Sequence, residues 1–295
     1  MNHRYDFVYL FDCKDGNPNG DPDAANSPRI DPQDMHGLVS DVCLKRKIRE
    51  FVLLAKERAD GYDIFVQRGG VLNELIQKAH DDLGNKVDSK NKADRKQAAS
   101  ARELMCKRYY DVRTFGAVMS VGANAGQVRG PVQLTFSRSV DPILPLDLSI
   151  TRMAINEPKE ADSPNQTMGR KNLIPYGLYR CHGFISAHLA GETGFNEDDL
   201  GVFLKALCGR AALSEQHGPS MFDNDHSASR GTMSPQKLVV FKHQSKLGNA
   251  PAHKLFERVT AKRKAGVDVA RAFSDYDVVV DKSGLPSGVE VIELL

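Results

Sequence analysis

No apolar run in this chain of 295 residues approaches the ~18 consecutive residues that a membrane helix needs. The opening Met1-Asn2-His3-Arg4-Tyr5-Asp6 lacks the charged-then-apolar layout of a secretion signal, so a cytoplasmic location without membrane contact is expected. Cysteine is sparse. Cys13, Cys43, Cys106, Cys181 and Cys208 are odd in number, widely spaced and without a Cys-x-x-Cys pair. That argues against a disulfide framework or a zinc knuckle and leaves reduced, structural thiols. The histidines are scattered, with no His-x-x-x-His pair, so no metal site and no cofactor are expected. Neither a Gly-x-Ser-x-Gly elbow nor another nucleophile signature occurs, and the chain is not expected to be an enzyme. Excess charge is missing as well: the net charge is only +2, whereas many nucleic-acid binders are strongly basic.

What remains is an ordinary globular composition, with 41% hydrophobic and 26% charged residues, enough for a real core. The length allows one elaborated domain or two small ones. The near-zero total hides a segregation. Asp12, Asp15, Asp21, Asp23, Asp31 and Asp34 crowd one stretch, and Lys45-Arg46-Lys47-Ile48-Arg49 follows soon after. A locally basic face can hold phosphates whatever the total charge.

Tyr5 to Asp12 reads as a strand with Phe7, Tyr9 and Phe11 on one side and Val8 and Leu10 on the other. Apolar residues on both faces mark a central strand. Lys14 to Asp34 is rich in Gly, Pro, Asn and Asp and is expected to be a loop. A helix is expected over Leu38 to Lys56, with Leu44, Ile48, Phe51 and Ala55 as its apolar stripe and Lys45, Arg49 and Lys56 on an adjacent face. Gly84 to Ala101 reads as an exposed polar excursion, Ala98 to Tyr110 as helix, and Gly116 to Pro131 as a glycine-rich loop. Val132 to Ser137 alternates as a half-buried strand, with Val132, Leu134 and Phe136 inward. Ile155 to Lys171 has few apolar anchors and is expected to protrude as a hairpin or loop. Tyr179 to Leu189 reads as a strand and Glu197 to Ala212 as a helix, with Asp198-Asp199 at its start where they favour the dipole. Three strands close the chain, Lys237 to Lys242, Tyr276 to Asp281 and Val289 to Leu294. The skeleton strand, helix, strand, strand, helix, strand is α+β with an antiparallel sheet of ferredoxin-like type and long insertions.

Asp15-Gly16-Asn17-Pro18-Asn19-Gly20 fits the opening of a calcium loop, but its twelfth position is Asn26 where a bidentate Glu is needed. Turn formation explains the loop better. Gly122, Gly126 and Gly130 fit neither a Walker loop nor a dinucleotide fingerprint. Either they let backbone amides approach a phosphate or the loop needs positive φ angles; Arg129 in Gln127-Val128-Arg129-Gly130 tilts towards phosphate. The basic run on the expected first helix can track a sugar-phosphate backbone, against the ordinary alternative of a solvated helix face. Further basic positions are Arg29, Arg113, Arg138, Arg152, Arg170, Lys171 and Arg180.

Several segments together carry a family resemblance. Tyr5 to Asp12, Gly16-Asn17-Pro18-Asn19-Gly20-Asp21-Pro22, Asp41 to Arg49, Asp111-Val112-Arg113-Thr114-Phe115-Gly116, Gly130-Pro131-Val132-Gln133 and Thr167-Met168-Gly169-Arg170-Lys171 are similar to the backbone subunit (Cas7-type, Csd2-like) of the type I-C CRISPR interference complex, Cascade. The resemblance spans residues 5 to about 245. It implies a modified RNA-recognition-type (RRM-like) fold shaped as palm, fingers and thumb, in a single domain over 1–295. Finger-like helices would be inserted at about 57–110 and a thumb hairpin at about 151–171. It implies several copies stacked along a CRISPR guide RNA, presenting it to a target DNA strand. Partner subunits would be the type I-C Cas5-type and Cas8-type proteins and the small subunit. Carried onto this chain, it implies phosphate contacts by Lys45, Arg46 and Arg49, likewise by Gln127 and Arg129 with their glycine loop. Met168, Arg170 and Lys171 would belong to the thumb, and Asn19, Arg29, Arg113 and Arg138 complete the RNA-contacting set. The aromatic strand motif of RNA-recognition domains is absent; His182-Gly183-Phe184-Ile185 echoes it only faintly. Two rivals stand beside this expectation. One is a metal-dependent ribonuclease of the related type III backbone kind using Asp12, Asp31 or Asp34; the other is a calcium-stabilised structural protein.

Overall fold

The computed structural model describes residues 1–88, 90–151 and 168–295. Strand β1 (Tyr5–Gly16) lies inside the main sheet, antiparallel both to β10 (Met168–Ile185) and to β11 (Thr232–His243). Its two apolar faces explain the position. Phe7, Tyr9 and Phe11 enter one buried cluster, and Val8 and Leu10 enter another on the opposite side of the sheet. Between β1 and the first helix come β2 (Gly20–Asp21) and β3 (Ser27–Pro28), which pair with each other, and β4 (His36–Val39). The expected structureless loop is thus a strand end, a small ribbon and a sheet edge.

Helix α1 (Asp41–Lys56) begins later than its periodicity suggested, because Ser40 caps it: the hydroxyl accepts the Cys43 N–H at 3.3 Å. Leu38 and Val39 belong to β4. Leu44, Ile48 and Val52 form the buried stripe, with Phe51 half-buried and Ala55 exposed. Residues 57–110 carry α2 (Leu72–Asp82) and α3 (Arg95–Arg108). The start of α3 is fixed by a capping box in which Asp94 accepts the Gln97 N–H and Gln97 accepts the Asp94 N–H. That corrects the reading of this stretch as a polar excursion to Ala101. Next come α4 (Tyr110–Phe115) and the ribbon of β5 (Gly116–Met119) with β6 (Gly126–Arg129), where a plain loop was expected. These elements build a second apolar cluster around Phe65, Ile76, Met105, Val112, Met119 and Val128.

The expected strand over Val132 to Ser137 is broken into β7 (Val132–Leu134) and β8 (Ser137–Pro142). Thr135 causes the break: its hydroxyl accepts the His182 N–H at 3.1 Å and its carbonyl faces the Cys181 thiol. Side-chain parity inverts there. Ser137 and Ser139 point inward and Phe136, expected inside, is 57% exposed. Strand β9 (Leu146–Thr151) pairs with the start of β10, from Met168↔Thr151 to Leu173↔Leu146. The protruding segment expected at Ile155 to Lys171 lies mostly on residues outside those described; Met168 to Lys171 stand at the start of β10. That strand ends at Ile185, where Ser186 caps α5 (Ala187–Thr193), so His188 is helical. Helix α6 (Glu197–Cys208) stops at Gly209, whose φ of +79° closes the helix, short of the expected Ala212. The chain ends in α7 (Ala252–Phe256), the ribbon of β12 (Val259–Arg263) with β13 (Tyr276–Val280), and β14 (Val289–Glu293).

Among the described residues the main sheet runs β14-β11-β1-β10-β8-β4, with β7 and β9 also on β10. It is antiparallel throughout. Helices α1 and α6 cover one face through Leu44, Ile48, Val52, Phe203 and Leu207. The segment from α7 to β13 covers the other through Leu255, Phe256, Val259 and Tyr276. The fold is therefore α+β. No helix among the described residues is long and apolar enough to cross a membrane.

Candidate nucleic-acid interface

Helix α1 presents its cations beside the apolar stripe, as 3.6-residue periodicity requires. Lys45 Nζ lies 5.6 Å from the centroid of the Phe115 ring and the Arg49 guanidinium 5.4 Å from it. Phe115 ends α4, and the next residue, Gly116, pairs with Arg129 across the β5–β6 ribbon. The residue that carries the two α1 cations is thus followed directly in the chain by the ribbon partner of Arg129. Gln127 and Arg129 are both exposed and two residues apart on β6, hence on the same side. Further along α1, Lys56 Nζ stands 4.6 Å above the Tyr62 ring. Tyr62 lines a cleft of about 840 Å³ together with Arg102, Lys107, Arg113, Gln127 and Arg129, and with acidic Asp60, Glu103 and Glu192. Arg102, Lys107 and Tyr62 were not singled out in the sequence, and Phe115 only within the Asp111–Gly116 segment; the charged α3 gives no sign of which side faces a cleft.

The glycines are explained by backbone geometry. A Cβ on Gly130 would overlap the Phe115–Gly116 backbone, and Gly116, Gly122 and Gly126 have positive φ. This holds β6 against α4 and places Arg129.

Most of the expected contact residues meet a carboxylate of the chain itself. Lys45 binds Asp41 at 3.0 Å, Arg46 binds Asp225 at 3.1 Å and also Glu50, and Arg49 binds Asp111 at 2.8 Å. Lys47, fully buried, is paired with Asp225. Arg29 lies 3.3 Å from Asp21, and Arg170 lies 3.0 Å from Asp147. Arg138 bridges Asp31 at 2.6 Å and Asp34 at 2.7 Å. Its hydrogen bond holds the Asp31 carboxyl below the usual range. Arg129 and Lys171 have no ion-pair partner among the described residues. Asn19 has a local role: its carbonyl oxygen accepts from both the N–H and the hydroxyl of Ser40, at 2.9 Å each, and so braces the start of α1.

Arg113 is a correction. It was expected on RNA, yet it is buried and forked onto Asp199 at 2.9 and 2.7 Å, with a further bond to the Gly61 carbonyl. Burial would pull the guanidinium down, and Asp199 outweighs it and holds the pKa above the ordinary arginine value. Arg180 likewise serves the fold, donating to the Phe256 and Val259 carbonyls at 2.6 and 2.7 Å. Beside it the His182 ring stacks on Phe256 at 4.3 Å, and Phe184 packs edge-on to the same ring. The strand that faintly echoes an RNA-recognition motif is therefore covered by α7.

Of the aspartates weighed for metal chemistry, Asp12 is buried and accepts from Tyr176 at 3.0 Å and Gln236 at 2.9 Å. Asp31 and Asp34 share Arg138. Among the described residues no three His, Cys, Asp or Glu side chains converge as a metal site.

A CRISPR-associated protein Cas7 from Haloferax volcanii is 25% identical over 229 residues, which cover 72% of this chain and 65% of that protein. The chain thus spans just under two thirds of the length of that relative. Among solved structures, a chain of a CRISPR RNA-guided surveillance complex in a pre-nicking state is 14% identical. The match covers 81% of this chain and 78% of that one, with a TM-score of 0.49. A chain of another CRISPR RNA-guided surveillance complex is 17% identical, over 81% of this chain and 68% of that one, with a TM-score of 0.48. The family described as CRISPR-associated protein Cas7 matches residues 3–281, so the chain belongs to the Cas7 family.

Proposed function

We propose that this chain is a non-catalytic backbone subunit that oligomerises along a CRISPR guide RNA in a type I-C Cascade complex. There it presents the guide for pairing with target DNA in antiviral defence. Its partners would be further copies of itself, the Cas5-type and Cas8-type proteins and the small subunit, in the cytoplasm. The carrying observation is that Lys45 and Arg49 on α1 stand over the Phe115 ring while the next residue, Gly116, pairs with exposed Arg129 on β6. Such a strip of cations can follow a sugar-phosphate backbone, so binding depends mainly on phosphates and leaves sequence to base pairing. Arg46 adjoins Lys45 on α1, Gln127 stands two residues from Arg129 on β6, and Asn19 braces the start of α1; in this reading Arg29 and Arg138 belong to the same surface. An RRM-like core is supported by the order β11-β1-β10-β8 with α1 and α6 on one face. This is the arrangement of a βαββαβ chain of ferredoxin type. The α2–α3 region with its own apolar cluster would be the finger. The segment from about 151 to 171, entered by β9 and left at Met168, Arg170 and Lys171, would be the thumb.

The ribonuclease alternative needs carboxylates free to converge on an ion. Here Arg138 occupies Asp31 and Asp34, and two hydrogen bonds hold buried Asp12.

Binding to labelled single-stranded RNA over a salt series tests the proposal. Each phosphate contact adds about 0.7 to the log–log slope, so Arg129→Ala should lower the slope by about that amount while the RNA stays intact in magnesium. A flat salt dependence, or cleavage lost in Asp31→Ala or Asp34→Ala, would overturn it.

A further inference from the structure

The exposed arginines expected to contact RNA are unequally provided for. Arg138 is 46% exposed, yet two carboxylates from the loop before β4 reach it, Asp31 and Asp34, 107 and 104 residues away in sequence. Arg46, 40% exposed, also has two, Glu50 and Asp225. Arg129, exposed like Arg138, has none among the described residues. A second carboxylate on an exposed guanidinium adds little to stability, since such pairs are screened by water and the two anions repel each other. It does change what the guanidinium offers to an incoming anion. A phosphate must displace a carboxylate already within hydrogen-bond distance.

We propose that Asp31, Asp34 and Asp225 are specificity-determining residues that act as intramolecular competitors for phosphate. They hold Arg138 and Arg46 in reserve and weaken the grip of the isolated chain on incidental RNA. Arg129, unguarded, makes the first contact. The guarded arginines engage only when a strand is already held along the strip, as it is when neighbouring copies share it. This rests on the reading of the strip as an RNA interface. Near-zero net charge is then part of the function: the basic face exists, and its own acids mask it. Asp225 also accepts from Lys47 and lies 3.3 Å from Arg230, so its removal disturbs packing. Asp31 and Asp34 are held only at the surface and make the cleaner pair to change.

The test uses the full chain and a short single-stranded RNA of unrelated sequence, with affinity followed by fluorescence anisotropy across a salt series. An exposed ion pair corresponds to roughly a 1.4- to fivefold factor, so Asp31→Asn with Asp34→Asn should tighten binding about fivefold. The slope should steepen by about 0.7, one added phosphate contact. Asp268→Asn with Asp277→Asn removes the same charge from the exposed surface of the C-terminal segment and should change affinity less than about twofold, with no change in slope. Equal gains in both double variants would reduce the effect to net charge and overturn the proposal. So would no gain at 31 and 34 while Arg129→Ala still weakens binding. If Arg129→Ala has no effect either, the RNA-interface reading falls and the proposal with it.

Discussion

Arg113 is enclosed on every polar side, by both oxygens of Asp199 and by the Gly61 carbonyl, with the Tyr62 and Tyr110 rings 5.2 and 5.3 Å from its guanidinium. Removing it leaves Asp199, itself buried, as an uncompensated charge. Arg113→Ala should therefore cost about 3–5 kcal/mol in denaturant unfolding, and a loss under about 1 kcal/mol would show that the pair is not structural. In sequence Arg113 and Arg129 look alike, each an arginine close to a glycine. What separates them is a carboxylate 86 residues further along the chain, and local pattern carries no trace of that distance. The same holds for Lys45 and Arg49. Helical periodicity places them together beside the apolar stripe, whereas their carboxylate partners and their shared Phe115 come from the tertiary fold.

At the scale of elements, the β5–β6 ribbon depends on one close approach. Gly130 passes so near the Phe115–Gly116 backbone that any Cβ must push the strands apart. Gly130→Ala should destabilise the protein by roughly 1–3 kcal/mol, the ordinary cost of overpacking, and should weaken RNA binding by moving Arg129. A variant as stable as the parent, within about 0.5 kcal/mol, would mean that the ribbon is not held this way. The boundaries of α1 and α3 follow from local chemistry, the Ser40 cap and the Asp94–Gln97 box, so they are legible in principle. The split between β7 and β8 is not. Clean alternation from Val132 to Ser137 reads as one strand, and only the bonds from Thr135 to Cys181 and His182 reveal that parity inverts and that Phe136 faces out.

For the molecule as a whole, apolar residues on both faces of β1 announce a sheet covered on two sides, and the order β11-β1-β10-β8 follows from alternating strands and helices. The identity of the second cover was not legible. The layer from α7 to β13 is assembled from short pieces, packed around Phe256 and Tyr276, with little periodicity of their own. That layer matters because it closes the sheet face beneath His182 and Phe184, so the surface proposed for RNA is the α1–β6 strip and not that face of the sheet. In the proposed function that strip meets phosphates and not base edges, and it coats a strand by repetition. The most direct measurement is the mass of the particle formed by the chain on guide RNAs of graded length and unrelated sequence. Copy number should rise in whole steps with RNA length and stay the same when the sequence is scrambled at constant length. A single copy on every length, or assembly confined to one sequence, would contradict the central claim.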